Sequence, residues 1–168
     1  MIREEHRQDI ERIRGVNKRA FGQAQEADLV DKLRQNCDNL LSLVAVMRNQ
    51  IVGHILFSPA AIESRGRTSQ GMALAPMAVL PEYQRQGIGS EPVRTGIKKL
   101  KNWQCPFIMV LGHAEYYTRF GFEPASRYGI RSIWEVPADV FMILVFDEPD
   151  MKGISGVAKY RPEFSEVM

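Results

Sequence analysis

The sequence predicts a mixed α/β fold, one sheet with helices inserted between its strands. Three observations carry that expectation. Segments with apolar residues every three or four positions alternate with β-branched apolar runs, and strand-like runs stand toward both ends. A length of 168 residues is enough for one domain. No repeat, low-complexity tract or Pro/Ser-rich linker divides the chain, so residues 1–168 read as a single domain.

Composition narrows the function classes. Lys+Arg 22 against Asp+Glu 20 gives a net charge of +2, too little to argue for nucleic acid or a membrane surface as partner. Cys37 and Cys105 form neither a disulfide framework nor a metal knuckle, and they read as core residues in a reducing compartment. The N-terminal residues Met-Ile-Arg-Glu-Glu-His-Arg are too charged for a signal peptide. The longest apolar run, residues 140–146, is about a third of the ~20 residues a membrane helix needs. A cytoplasmic protein with no membrane partner is expected.

In chain order, residues 1–4 predict a short strand. Ile10, Ile13, Val16 and Ala20 mark an amphipathic helix ending near Phe21 and Gly22. Leu29, Val30 and Leu33 support a second helix over residues 26–35. Residues 40–47 and 51–58 are two apolar runs joined by Arg48-Asn49-Gln50, an antiparallel hairpin, and Pro59 does not necessarily end the sheet. Another strand is expected over residues 69–80, after a tip at residues 64–67. Pro76 cannot donate to a ladder, so this strand is bulged or unpaired there. Val93, Ile97 and Leu100 give a helix to about Lys101, with Pro92 tolerated in its first turn. Residues 107–111 read as a buried strand, 114–120 as a brief helix and 136–146 as a last strand region. The remaining tail reads as irregular.

The stretch that carries chemistry runs Met77-Ala78-Val79-Leu80-Pro81-Glu82-Tyr83-Gln84-Arg85-Gln86-Gly87-Ile88-Gly89-Ser90. It reads as a strand, a turn and a helix N-terminus. Gly87 and Gly89 let main chain approach a ligand, and the first amides of a helix are unpaired and lie at its positive end. Arg85 adds a full charge. Such a turn suits a phosphate, although many helices simply begin after glycine.

Gln84-Arg85-Gln86-Gly87-Ile88-Gly89 resembles the Q/R-x-x-G-x-G/A signature of the GNAT superfamily of N-acetyltransferases. Tyr116-Tyr117-Thr118-Arg119-Phe120-Gly121-Phe122 resembles its Y-x-x-x-G-F segment, and the two stand in the right order. The likeness spans most of the chain to about Pro124. The tail, with Val136-Pro137 and Val140-Phe141-Met142, is similar to a bacterial branch of uncharacterised members. The resemblance implies a central, mostly antiparallel twisted sheet, splayed between its two middle strands and flanked by about four helices. It implies acetyl-CoA as cosubstrate, with the pyrophosphate on the amides of Arg85, Gln86, Gly87, Ile88, Gly89 and Ser90 and Gln84 at the edge of that cradle. The pantetheine arm would lie along the main chain of Met77, Ala78 and Val79, the Met77 amide facing the thioester oxygen. Tyr117 aligns with the family's general acid, whereas a Tyr-Tyr pair read alone is an aromatic core cluster. His113 stands where the family commonly has a cofactor-contacting asparagine, so it replaces that contact or the contact is missing.

The family's acidic base on the strand before the loop has no counterpart, since residues 69–76 contain no carboxylate. The candidate bases are Glu26, equally suited to serving a helix dipole, and His54, equally suited to a structural hydrogen bond. His6, His54, His113 and the cysteines lack metal-ligand spacing, so no metal is expected. Ser58 and Ser90 lack a triad-like neighbour pattern, which favours direct transfer in a ternary complex over an acyl-enzyme. The expected acceptor is a small-molecule or peptide amine, and edge strands in the C-terminal half offer a homodimer contact. The competing readings are a non-catalytic acyl-CoA-binding regulatory module and, behind it, an unrelated phosphate-binding enzyme using only the glycine turn.

Overall fold

The apolar periodicities resolve into nine strands and four α-helices in a computed structural model that describes residues 1–146 and 151–167. The chain folds as two compact units, with the third and fourth strands running through both.

The first unit comprises Met1–Ser58, Ala75–Ile97 and Pro162–Met168. Its strand β1 (Ile2–Glu4) pairs antiparallel with β2 (Leu41–Met47), and β2 pairs antiparallel with β3 (Gln50–Ser64). The β2–β3 turn is made by Arg48 and Asn49, both left-handed at φ 52° and 62°, as a two-residue hairpin turn requires. Helix α1 (Ile10–Phe21) buries Ile13, Val16 and Asn17 and stops at Gly22, whose φ of +70° costs an L side chain energy but not glycine. Helix α2 (Gln25–Asn36) buries Ala27, Val30 and Leu33 at helical spacing and is tied to α1 where Arg14 bonds Asp28 and Asp31. Most of α3 (Ser90–Asn102) also belongs here.

The second unit comprises Pro59–Leu74 and Lys98–Arg161. The first part of β4 (Arg67–Val79) pairs parallel with β5 (Phe107–Leu111), and this ladder consists of Met72 opposite Ile108 and Ala73 opposite Met109. Strand β5 pairs antiparallel with β8 (Phe141–Val145), which also carries β6 (Glu123–Pro124). Helix α4 (Ala114–Tyr117) continues into a 3-10 turn over Thr118–Phe120. The last part of β3 pairs with β9 (Gly156–Lys159), and β9 pairs parallel with β7 (Ile130–Ser132). Apart from β4–β5 and β7–β9, the pairings with a defined register are antiparallel.

One expectation needs correction. The hairpin strand runs on past Pro59 to Ser64, as the sequence left open, but the tail is not wholly irregular, because β9 forms where Gly156 passes against the Glu63 carbonyl. A Cβ at Gly156 would lie 2.1 Å from that oxygen, so only glycine allows the approach. Residues 147–150 of that tail lie outside the described residues. Pro76 follows a cis peptide bond, and the β4–β5 ladder has already stopped at Ala73, in keeping with the interruption expected from proline. Among the described residues no helix is long and apolar enough to cross a membrane.

Candidate functional site

In the first unit, β4 leaves the sheet through Leu80, whose amide donates to the Val52 carbonyl at 2.9 Å, and a 3-10 turn over Pro81–Tyr83 leads into the glycine turn. Arg85 has φ 64° and Gly87 φ 79°. Alternating left-handed residues turn successive amides toward one side, the geometry of an anion-binding nest. Among the described residues the amides of Arg85, Gln86, Gly87, Ile88 and Gly89 donate to no main-chain acceptor, and the Ser90 amide donates to Gly87 across 3.2 Å. Residues 84–87 are exposed and Ile88 and Gly89 half-buried in this turn ahead of α3. Apart from Gly87 and its chain neighbours, no atom of the described residues lies within 4 Å of a Cβ built on Gly87.

The end of β4 and this turn are held together locally. Gln84 Nε2 donates to the Val79 carbonyl at 2.9 Å, and Gln86 Nε2 to the Glu82 carbonyl at 3.3 Å. Arg19 of α1 grips both carboxylate oxygens of Glu82, at 2.9 and 2.7 Å. Along the strand Ala78 is buried while Met77 and Val79 are half-buried. Gly53 lies beneath them, where a Cβ would stand 3.4 Å from the Ala78 carbonyl oxygen and 3.7 Å from Ile88. Nothing in the sequence around Gly53 announces this contact with residues more than twenty positions away.

The two candidate bases differ in surroundings. Glu26, in the first turn of α2, is half-buried and accepts from Gln23 Nε2 at 3.0 Å on each oxygen. His54 is 1% exposed. Its Nδ1 lies 3.2 Å from Asn17 Nδ2 and its Nε2 lies 2.9 Å from Ser42 Oγ, while Ser42 bonds onward to Glu5 and Glu5 to Arg34. Burial lowers the His54 pKa to about 4, with Glu5 pulling it up and Arg34 pushing it down. A neutral ring with both nitrogens bonded inside the core has neither a free lone pair nor an approach from solvent, so the structural hydrogen-bond reading describes it. The partners Asn17 and Ser42 were not signalled by sequence, since they stand 37 and 12 residues away.

In the second unit, Tyr117 closes α4 and is 7% exposed. Its ring meets Tyr116 edge-on at 5.0 Å and Phe122 edge-on at 5.6 Å, so the aromatic cluster expected of this segment is present. Burial, and secondarily Tyr116, push the phenol's pKa above its ordinary value, so Tyr117 keeps its proton throughout the neutral range. His113 is exposed at the start of α4, and its carbonyl accepts from the amides of Tyr116 and Tyr117, both at 3.1 Å. Cys105 is buried, its thiol donating to the Phe107 carbonyl at 3.1 Å, and burial pushes its pKa up to about 11. Among the described residues no group of three or more His, Cys, Asp or Glu could hold a metal ion.

The profile of the Acetyltransferase (GNAT) family matches residues 8–122, a span that contains the glycine turn and Tyr117. The chain belongs to the GNAT acetyltransferase family. This GNAT chain is 44% identical over 134 residues to the uncharacterized N-acetyltransferase YjhQ of Escherichia coli, covering 78% of this chain and 74% of that protein. The crystal structure of the E. coli GNAT protein YhbS in complex with CoA superposes with a TM-score of 0.90 at 30% identity, over 98% of this chain and 91% of that one. A Brucella melitensis GNAT acetyltransferase in complex with acetyl-CoA superposes with a TM-score of 0.80 at 34% identity, over 98% and 97% of the two chains. The fold expected from the two motifs is therefore the GNAT fold.

Proposed function

We propose that the protein transfers the acetyl group of acetyl-CoA directly to a primary amine in a ternary complex, with residues 1–168 acting as one catalytic domain. The observation that carries this reading is the run of unspent amides at residues 85–89 ahead of α3, on a chain whose relatives were crystallised with CoA and acetyl-CoA. Those amides, the Ser90 end of the helix and the Arg85 guanidinium take the pyrophosphate. Gln84 holds the Val79 carbonyl and so fixes the strand end beside the cradle. The main chain of Met77, Ala78 and Val79 aligns the pantetheine arm, and the Met77 amide donates to the thioester oxygen as negative charge develops there. His113 contributes a cofactor contact in place of the family's asparagine.

The amine nitrogen bonds to the thioester carbon, and the carbonyl electrons move onto oxygen. Collapse re-forms the C=O and breaks the C–S bond, and the departing thiolate takes the phenolic proton of Tyr117. The proton released by the attacking amine goes to Glu26, directly or through water, because the Glu26 carboxylate reaches solvent whereas the His54 ring does not. Tyr117 regains its proton from solvent. A small-molecule or peptide amine is the acceptor. A cytoplasmic location belongs to the same reading, since acetyl-CoA is an intracellular metabolite. A homodimer through an exposed strand edge belongs to the same reading and is checked by sedimentation.

Calorimetric titration of acetyl-CoA into wild type and Gly87→Val tests the cradle. Gly87 has φ +79°, a conformation valine adopts only with strain, so the substitution turns the amides away. At least a tenfold weaker affinity in a folded variant is expected, and unchanged affinity refutes the assignment.

A further inference from the structure

Gly112 directly follows β5 and stands two residues before α4 begins, and its amide is fixed by the Val140 carbonyl at 2.9 Å. A Cβ built on Gly112 would stand 2.3 Å from Cε2 of Tyr117 and 3.0 Å from Cδ2. The phenol ring therefore lies directly against the glycine backbone. Tyr116 and Phe122 also pack against the ring, and the Tyr117 amide is held by the His113 carbonyl.

We propose that Gly112 is a positioning residue for Tyr117: the missing side chain sets where the phenol ring, and hence its hydroxyl, can lie. The inference rests on the assignment of Tyr117 as the general acid. Ordinary carbon–carbon contact is near 3.5 Å, so a methyl group at residue 112 drives the ring back by roughly 1 Å. Such a shift exceeds the ~0.5 Å tolerance of a catalytic group and typically costs about 10²-fold in rate. The rings of Tyr116 and Phe122, with centroids 5.0 and 5.6 Å away, restrict where the displaced ring can go. Gly71 makes the same kind of close approach to another ring, with Phe107 carbons at 2.6 Å, yet Phe107 is a fully buried core residue without a polar atom. Gly71→Ala thus crowds the interior and serves as the structural control.

The experiment measures kcat, the KM for acetyl-CoA and thermal stability for Gly112→Ala, Gly71→Ala and Tyr117→Phe, and for Gly112→Ala combined with Tyr117→Phe. The expected result is a ~10–100-fold lower kcat in Gly112→Ala with KM changed less than about threefold, and no further loss when it is added to Tyr117→Phe. Gly71→Ala loses stability and keeps its kcat when assayed well below its melting temperature. If Gly112→Ala does not fold, it is combined with Phe122→Leu, which makes room for the displaced ring, and read against Phe122→Leu alone with and without Tyr117→Phe, where the same pattern is expected. A folded Gly112→Ala with wild-type kcat overturns the proposal, as does an equal further loss in the Tyr117→Phe background, or, in the second cycle, a Gly112→Ala/Phe122→Leu protein whose kcat equals that of Phe122→Leu. A Tyr117→Phe enzyme with wild-type kcat instead refutes the acid assignment itself, and with it any role for Gly112 in positioning that acid.

Discussion

His54 Nε2 stands 2.9 Å from Ser42 Oγ, in the middle of a chain of hydrogen bonds whose direction is fixed at both ends. Asn17 Nδ2, which also donates to the Ile13 carbonyl at 3.0 Å, can only donate to His54 Nδ1. Ser42 donates to the Glu5 carboxylate, so its oxygen is left to accept from His54. The ring is consequently the neutral Nε2–H tautomer. Glu5, in turn, is held below the usual carboxylate range: Arg34 and Ser42 together outweigh the opposing effect of burial.

This chain makes stability depend on pH. The unfolded His54 titrates near 6.5 and the folded one near 4, so between these values the unfolded state binds more protons. The His54 contribution is complete above about pH 6.5, declines as pH falls toward 4 and levels off below it. Urea unfolding at pH 7 and pH 5 should show His54→Gln losing ~2 kcal/mol less than wild type between the two conditions. An equal pH response in both proteins would mean that His54 titrates normally in the core.

Tyr117→Phe keeps the ring between Tyr116 and Phe122 and removes only the hydroxyl. A kcat reduced at or below about 10²-fold is expected, because a thiolate leaves readily and water partly replaces the donor. Acetyl-CoA affinity and thermal stability should stay near wild type. Because burial raises the phenol's pKa, wild-type kcat should show no alkaline limb from Tyr117 below pH ~10. Equal loss of affinity and stability would make the hydroxyl structural.

Gly96 of α3 faces Phe57 of β3 so closely that a Cβ would lie 2.3 Å from the ring. Gly96→Ala should cost ~1–3 kcal/mol in denaturant unfolding, as overpacking does, with the acetyl-CoA affinity of the folded fraction retained. An unchanged midpoint would show that the helix rides over the ring without strain.

Local signals were legible and distant ones were not. Gly22 after an apolar periodicity ended α1 where expected, and Pro76 marked the region where β4 parts from its ladder. Pro59 left room for β3 to continue, but nothing local revealed the partner of that extension, because β9 stands nearly a hundred residues later in a tail that reads as irregular. The turn over residues 84–89 was visible through its glycines, whereas Gly53 beneath it was not, since a glycine's purpose lies in what would collide with its Cβ. His54 looked ambiguous for the same reason. Its neighbours Asn17 and Ser42 come from α1 and β2, and only the fold brings them to one ring.

Turnover tests the central claim most directly. Purified protein is incubated with acetyl-CoA and a panel of small-molecule and peptide amines, and free CoA thiol is followed beside mass spectrometry of each amine. Acetyl transfer predicts at least one amine that gains an acetyl group in the same amount as CoA is released, faster with wild type than with Tyr117→Phe. Tight acetyl-CoA binding with no acetylated amine, or CoA release matched only by acetate, would contradict it and leave an acyl-CoA-binding module instead.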